Sequence, residues 1–335
     1  MRIGIVGSGF MGTTHAAAWA ETDAQIVGFA VRSAQKAQPI AEQYGARVYV
    51  NLDALLAEVD VVDICTPTHL HYDMVLKAAA AGKDIVCEKP LARTLAQGRE
   101  MMAACKAAGV KLLVAHVVRF FPQYAQAKAA VERGEIGQPA MLRLARETFC
   151  PKKAVGNWFV DPVKSGGMML DLMIHDFDYA RWVAGEVQSV FAKNISSAHP
   201  NAPLDYGLVI LTHQGGALSH VAGAWAYPPP TFRTRFEIAG SGGLIEFDSD
   251  ASAPIGLYLH QQEGQTPDIP LPTSPLSESP YTAQIRAFYD ALAHDAPLRL
   301  CAGDGLAALQ IALAAIESAQ TGLPVSLEPL AEVLS

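Results

Sequence analysis

Through the first third of the chain, short β-branched runs alternate with stretches whose small and apolar residues recur at helical spacing. Residues 2–6 read as a strand and 13–19 as helical. Strand 25–31, helix 33–44, strand 47–49, helix 52–57, strand 59–65, helix 72–81, strand 84–87, helix 94–108 and strand 110–115 follow. Gly82 and Gly109 stand where helix ends favour a left-handed residue. Strands separated by helices read as βαβ units, so the pattern predicts an α/β domain with a parallel, doubly wound sheet.

Near residues 116–122 the alternation stops, and a domain boundary is expected there, with 1–118 as one domain and 119–335 as the next. After a helix at 123–133, strand-like runs appear at 140–149, 187–195, 206–212, 217–225, 233–239, 244–247 and 256–260. Several successive strands without intervening helices predict an α+β domain on a mostly antiparallel sheet. Residues 261–280, rich in Pro, Ser and Thr, read as an irregular excursion, and helices at 281–293 and 304–321 close the chain. A length of 335 residues suits two cores better than one.

Composition narrows the partners. Half of the residues are hydrophobic and 17% are charged, as in a globular protein with ample core. The net charge of -8, from 25 basic and 33 acidic residues, argues against nucleic acid or an anionic membrane as a partner. Cys65, Cys87, Cys105, Cys150 and Cys301 are odd in number and contain no C-x-x-C pair, which fits a reduced cytoplasm better than a disulfide framework or a zinc site. The apolar run at 3–6 is short for a signal peptide and 306–316 is short for a bilayer, so neither export nor membrane insertion is expected.

Candidate chemistry sits at the strand ends. Gly7-Ser8-Gly9-Phe10-Met11-Gly12 is G-x-G-x-x-G between a strand and a helix, the context in which a backbone can approach a pyrophosphate over a helix N-terminus. Gly7, Gly9, Phe10, Met11 and Gly12 are therefore candidate dinucleotide contacts. Strand 25–31 ends on Val31-Arg32-Ser33, where an acid would grip the ribose of NAD. Without that carboxylate, Arg32 and Ser33 suit a 2′-phosphate, so NADP is preferred and NAD possible.

Ligands of open α/β sheets lie just outside the carboxyl ends of the strands. Two more strand ends point there. Thr66-Pro67-Thr68-His69-Leu70-His71 reads as a loop lining the nicotinamide pocket; metal ligation by His69 and His71 is disfavoured, because no carboxylate or thiol stands at matching spacing. Glu88-Lys89-Pro90 places an ammonium at a strand tip, able to hold a developing alkoxide or polarise a carbonyl, in a turn stiffened by proline. Such a turn can hold a cis Lys89-Pro90 bond.

In the second half, Gly166-Gly167 feeds a helix on which Asp171 and His175, four apart, share a face among Leu170, Met173, Ile174 and Phe177. His175 suits the acceptance of an alcohol proton; a satisfied core histidine paired with Asp171 is the competing reading. Arg119, Arg146, Glu147, Asn157, Trp158, Trp225 and Tyr227 combine polar tips with aromatic faces of the kind that grip sugars. Of these, Arg119, Arg146, Asn157 and Trp158 join His175 as substrate-contact candidates.

Taken together these pieces resemble the Gfo/Idh/MocA family, the glucose-fructose oxidoreductase and inositol dehydrogenase relatives. The resemblance runs through the glycine turn with His15, Thr66 to His71, Glu88-Lys89-Pro90, Arg119-Phe120-Phe121-Pro122, Gly166-Gly167 with Asp171 and His175, and a helix after Asp304-Gly305. Ser165 replaces the first glycine of the family's G-G-G. The resemblance implies a Rossmann domain followed by a domain whose large open sheet is buried in a homodimer or homotetramer. It also implies an NAD(P)-dependent dehydrogenase passing hydride between nicotinamide and a secondary alcohol or ketone of a sugar, inositol or related cyclic polyol. By the same resemblance Lys89, Asp171 and His175 meet over the nicotinamide ring, and Arg-Ser at 32–33 goes with NADP. Two other activities remain open at this point. One is elimination or glycoside cleavage with a tightly held cofactor. The other is a non-catalytic sugar or dinucleotide sensor, against which the joint presence of Lys89, Asp171 and His175 argues.

Overall fold

The computed structural model describes residues 1–151, 158–197, 204–228, 230–251, 255–259 and 278–330. They form two compact units, Met1–Phe120 with Glu278–Leu306, and Phe121–Ser277 with Ala307–Leu330.

The first unit begins β1 (Arg2–Val6), α1 (Phe10–Trp19), β2 (Gln25–Ala30), α2 (Ala34–Gln43), β3 (Arg47–Tyr49), α3 (Leu52–Leu56) and β4 (Val61–Ile64). It continues with α4 (His71–Ala80), β5 (Asp84–Glu88), α5 (Leu95–Ala108) and β6 (Leu112–Ala115). The strands form a six-stranded sheet in the order β3-β2-β1-β4-β5-β6, every pair parallel. Strand order reverses direction between β1 and β4, the point at which such sheets bind ligands beyond their carboxyl ends. Helices cover both faces, so β4 and β6 are buried at every position and read as continuous apolar runs, apart from Asp63. Two helix starts are capped as their sequence suggests: Asn51 accepts from the Asp53 N–H and Thr94 from the Gln97 N–H.

The second unit holds α6 (Pro122–Glu132), β7 (Pro139–Thr148), α7 (Gly167–Asp171), α8 (Ile174–Ala184), β8 (Val187–Ser197), β9 (Leu204–His213) and β10 (Leu218–Trp225). Then come β11 (Phe232–Gly240), β12 (Gly243–Asp248) and β13 (Ile255–Leu259). After α9 (Pro280–His294) and α10 (Ala302–Thr321), β14 (Val325–Ser326) adds itself to the edge of β8. The result is an eight-stranded sheet, β13-β12-β11-β7-β10-β9-β8-β14. It is antiparallel except where β7 and β10 run parallel. Burial alternates along β7 and β11 and over Leu218 to Val221 of β10, whose remaining residues are buried throughout, and Leu142, Leu144, Val221, Phe236 and Ile238 belong to the covered face.

One feature differs from a single division at residue 118: residues 278–306 group with the first unit. The cause is apolar. α9 delivers Ile285 and Phe288 into the cluster that holds Ile3, Trp19, Val86 and Phe120, and Phe288 meets Phe120 edge to face at 6.3 Å. Lys111 Nζ adds a bond to the Ala291 carbonyl at 2.7 Å.

Candidate active site

In the first unit the site begins at the glycine turn. A Cβ on Gly12 would lie 2.2 Å from the Gly7 carbonyl oxygen, and one on Gly7 would lie 2.6 Å from the Cys65 carbonyl oxygen. The turn between β1 and α1 therefore closes only with glycine at both places. Gly9 is different: a Cβ there meets nothing within 4 Å. That opening, at the N-terminus of a ten-residue helix with unpaired N–H groups, fits the pyrophosphate of a dinucleotide. Phe10 is 75% exposed and Met11 half-buried beside it. Arg32 and Ser33 lie exposed just beyond β2.

Beyond β4, Thr66 and Pro67 are half-buried and lead into a short 3₁₀ turn, Thr68–Leu70, with His69 half-buried in it. His71 does not face outward. It is buried, its Nδ1 2.9 Å from the Pro90 carbonyl oxygen and its Nε2 2.9 Å from that of Thr66. Burial lowers its pKa, against the pull of those two carbonyls.

Glu88 is the last residue of β5, and Lys89 follows, half-buried, before a cis peptide to Pro90. The Lys89 N–H donates to Glu88 Oε2 at 3.1 Å. Behind the turn lies a buried polar network. His15 Nδ1 is 2.9 Å from Asp63 Oδ2, which also accepts from Trp19 Nε1 at 2.7 Å. His15 Nε2 lies 3.1 Å from Glu88 Oε1, an ion-pair distance without hydrogen-bond alignment. Burial opposes a charge on His15, but Asp63 and then Cys65 outweigh it, and the pKa is raised well above the ordinary histidine value. Burial pushes the Cys65 thiol up. Donor atoms of His15, Asp63 and Cys65 lie within 4.8 Å of one another, a spacing that could hold a metal ion; their bonds to one another and to Trp19 account for the grouping.

The second unit carries the other candidates. Asp171 and His175 stand on two helices rather than one: α7 ends at Asp171 and α8 starts at Ile174. The Met173 N–H reaches back five residues to the Met168 carbonyl at 3.2 Å, a π-type turn that interrupts the helix. Asp171 is buried and His175 half-buried. The interruption is seated on the paired glycines Gly207 of β9 and Gly223 of β10, where added Cβ atoms would meet Met173 Sδ at 3.0 Å and Met173 Cγ at 2.3 Å.

Two arginines are engaged inside the fold. Arg146 makes a bidentate pair with Asp176, Nε to Oδ2 at 2.8 Å and Nη2 to Oδ1 at 3.0 Å, both side chains buried. Arg119, in the first unit, donates to the Arg299 carbonyl at 2.8 Å and pairs with Asp304 at 3.3 Å. Trp158 stacks on Phe159 at 4.1 Å, and Phe159 meets Trp225 edge to face at 6.4 Å. Burial and then a hydrogen bond to Glu147 raise the Tyr227 pKa. Asn157 lies outside the described residues.

Reading residues by type missed Asp63, Asp176 and the glycine pair. Asp63 left a visible signal, a lone carboxylate inside the apolar run Val61-Val62-Asp63-Ile64. The glycines left none, because their pairing across β9 and β10 exists only in the folded register.

Comparison with known proteins agrees with this layout. Residues 1–116 match the model of the oxidoreductase family with an NAD-binding Rossmann fold, and residues 124–246 match the GFO/IDH/MocA C-terminal domain. The chain is 31% identical to the inositol 2-dehydrogenase of Rhizobium meliloti (strain 1021) over 95% of its own length and 96% of that protein's. It is 30% identical to the myo-inositol 2-dehydrogenase of Thermotoga maritima, covering 98% of this chain and 99% of that one. Among solved structures, GenD2 from gentamicin A biosynthesis in complex with NAD superposes with a TM-score of 0.86 at 26% identity, over 98% of this chain and 97% of that one. With both halves of the chain matched and the sheet order, glycine turn and lysine turn in place, this protein belongs to the Gfo/Idh/MocA family of NAD-binding oxidoreductases.

Proposed function

We propose that the protein is an NAD(P)-dependent dehydrogenase acting on a secondary alcohol of a sugar, inositol or related cyclic polyol, with Lys89, Asp171 and His175 as its catalytic residues. The observation that carries this reading is a lysine at the tip of β5, one strand from the β1/β4 reversal, in a chain matching an inositol 2-dehydrogenase along 95% of its length. Gly7, Gly9, Phe10, Met11 and Gly12 hold the pyrophosphate, and Thr66, Pro67, His69 and Glu88 border the nicotinamide end. When bound, the nicotinamide supplies the hydride acceptor. The chain's own residues do the rest: His175 takes the hydroxyl proton as the C–H bond breaks and the carbonyl forms, and Lys89 steadies the oxygen. Asp171 orients and stabilises the imidazolium. Run in reverse, the same groups deliver a proton to a reduced ketone.

NADP is the preferred cofactor in this reading, supported by exposed Arg32 and Ser33 where NAD enzymes use an acid. Trp158 is retained as a substrate contact, supported by its stacking on Phe159. The engagement of Arg119 and Arg146 inside the fold supports positioning roles for them in place of direct substrate contact. The odd number of cysteines and the lack of a C-x-x-C pair support work in a reducing cytoplasm; among the described residues no helix is long and apolar enough to cross a membrane. The test is a panel of inositols, aldoses and ketones with NADP and NAD in parallel, followed by nicotinamide absorbance, on the parent, Lys89→Met and His175→Ala. Turnover is expected on at least one polyol or sugar, to fall ~10²–10⁴-fold in either variant, and to leave dinucleotide binding intact. Full turnover in either variant removes that residue from the chemistry.

A further inference from the structure

Four ring nitrogens of two histidines close on the residues either side of Lys89 and on the groups behind them. On one side, His15 Nε2 lies 3.1 Å from Glu88 Oε1, and the other oxygen of that carboxylate accepts the Lys89 N–H at 3.1 Å. On the other side, His71 Nδ1 lies 2.9 Å from the Pro90 carbonyl oxygen. The remaining nitrogens run back into the sheet's ligand-facing edge, His15 Nδ1 to Asp63 on β4 and His71 Nε2 to the Thr66 carbonyl after β4. His15 sits on α1, which starts at the glycine turn, and His71 opens α4.

Resting on the reading of Lys89 as the residue that steadies the reacting oxygen, we propose that His15 and His71 are positioning residues which together set the direction of its ammonium. A strand tip alone leaves the peptide orientation loose. Here the Glu88 carboxylate before Lys89 faces one buried ring at ion-pair distance and the Pro90 carbonyl after it lies at hydrogen-bond distance from another, and each ring is anchored to the β4 side of the switch point. Both rings face protein groups through both nitrogens, so neither is placed to exchange a proton with substrate. A neutral imidazole has a single N–H, so at His71 only one of the two carbonyls receives a bond in a given tautomer, and burial favours the neutral ring. The proposal requires that bond to serve Pro90.

Asparagine and glutamine separate the two nitrogens, since the Asn amide reaches the position of Nδ1 and the Gln amide that of Nε2. His71→Asn keeps the Pro90 contact and His71→Gln the Thr66 contact; His15→Gln keeps the Glu88 contact and His15→Asn the Asp63 contact. With myo-inositol, or whichever polyol the parent oxidises, as probe, His71→Asn and His15→Gln are expected to keep kcat within about threefold, whereas His71→Gln and His15→Asn lose ~10–100-fold. KM for the dinucleotide is expected to stay within about threefold in all four, since the glycine turn is untouched. The rate at which acetic anhydride labels Lys89, read by mass spectrometry, is expected to follow the same division and needs no turnover. Equal kcat and equal labelling for the Asn and Gln variants of a position overturns its role, as does a loss confined to the dinucleotide KM. Lys89→Met is measured beside them: if it retains parental turnover, the catalytic reading of Lys89 fails, and the labelling rates still decide the histidines. Glu88→Gln, which leaves both rings in place, guards against variants that do not fold; parental turnover there overturns the His15 half.

Discussion

At His15, burial and partners pull in opposite directions. Removal from water disfavours the imidazolium, yet Asp63 beside Nδ1, reinforced by Cys65, raises the pKa well above its usual 6.5. Glu88 faces the other nitrogen, and Trp19 completes the surroundings by donating to Asp63. A raised folded-state pKa contributes stability that is fully present below the unfolded value and is lost as pH rises through the folded one. The stability gap between the parent and His15→Asn in urea melts is therefore expected to be widest below pH 6.5 and to narrow in the alkaline range. A gap that does not change with pH means that the ring carries no charge. At His71 the sign reverses: its pKa is lowered by burial, so stability is lost as pH falls below 6.5, and the two effects separate on the pH axis. Residue type alone reveals little of this. Arg119 and Arg146 read in sequence as sugar ligands, and nothing in an arginine distinguishes one that grips substrate from one that grips an aspartate thirty positions along. Burial opposes the charge on Arg146, and Asp176 together with Tyr124 more than offsets it, so the Arg146–Asp176 pair pins β7 to the start of α8, next to His175.

Element by element, the chain announces itself where one period dominates. The strand and helix alternation of the first unit, the long strands of the second and helices α9 and α10 all follow from apolar spacing within a residue or two, except that α1 starts at Phe10, three residues ahead of the expected 13. The break between α7 and α8 does not, because Leu170 to Phe177 is uniformly apolar around two acids and a histidine, and periodicity sees one helix. What interrupts it is tertiary: methionines 168, 169 and 173 sink into the hollow left by Gly207 and Gly223. Filling that hollow tests the account. In Gly223→Ala the new Cβ would stand 2.3 Å from Met173 Cγ and 2.8 Å from its sulfur, too close without moving the turn that follows Asp171. The variant is expected to lose ~1–3 kcal/mol in denaturant melts and to turn over more slowly. Adding Met173→Ala, which removes the clashing atoms, is expected to make the alanine at 223 neutral relative to Met173→Ala alone. If Gly223→Ala melts like the parent, the turn is not seated on that glycine.

For the molecule as a whole, the open face of the eight-stranded sheet carries the strongest constraint. Period-two alternation puts Val209, Leu211 and Val221 on the covered face and leaves Ile195, Ile210 and Leu218 on the other, 63%, 39% and 49% exposed. On the same face Arg143 pairs with Glu237 across β7 and β11. A sheet face with exposed apolar side chains on three neighbouring strands and ion pairs beside them has the composition of an interface core and its polar rim. A two-fold axis through such a face lets each copy cover the other with the same residues, so the expected assembly is a homodimer, or a tetramer built from two of them. Aspartates at Ile210 and Leu218 would place four carboxylates against one another across that axis while touching no covered position in the single chain. The double variant is expected to sediment as a monomer where the parent sediments as a dimer or tetramer, with its far-UV spectrum retained. Buried charges without partners cannot be tolerated in an apolar interface, so a variant that stays assembled at the parent's concentration would place the contact elsewhere on the chain.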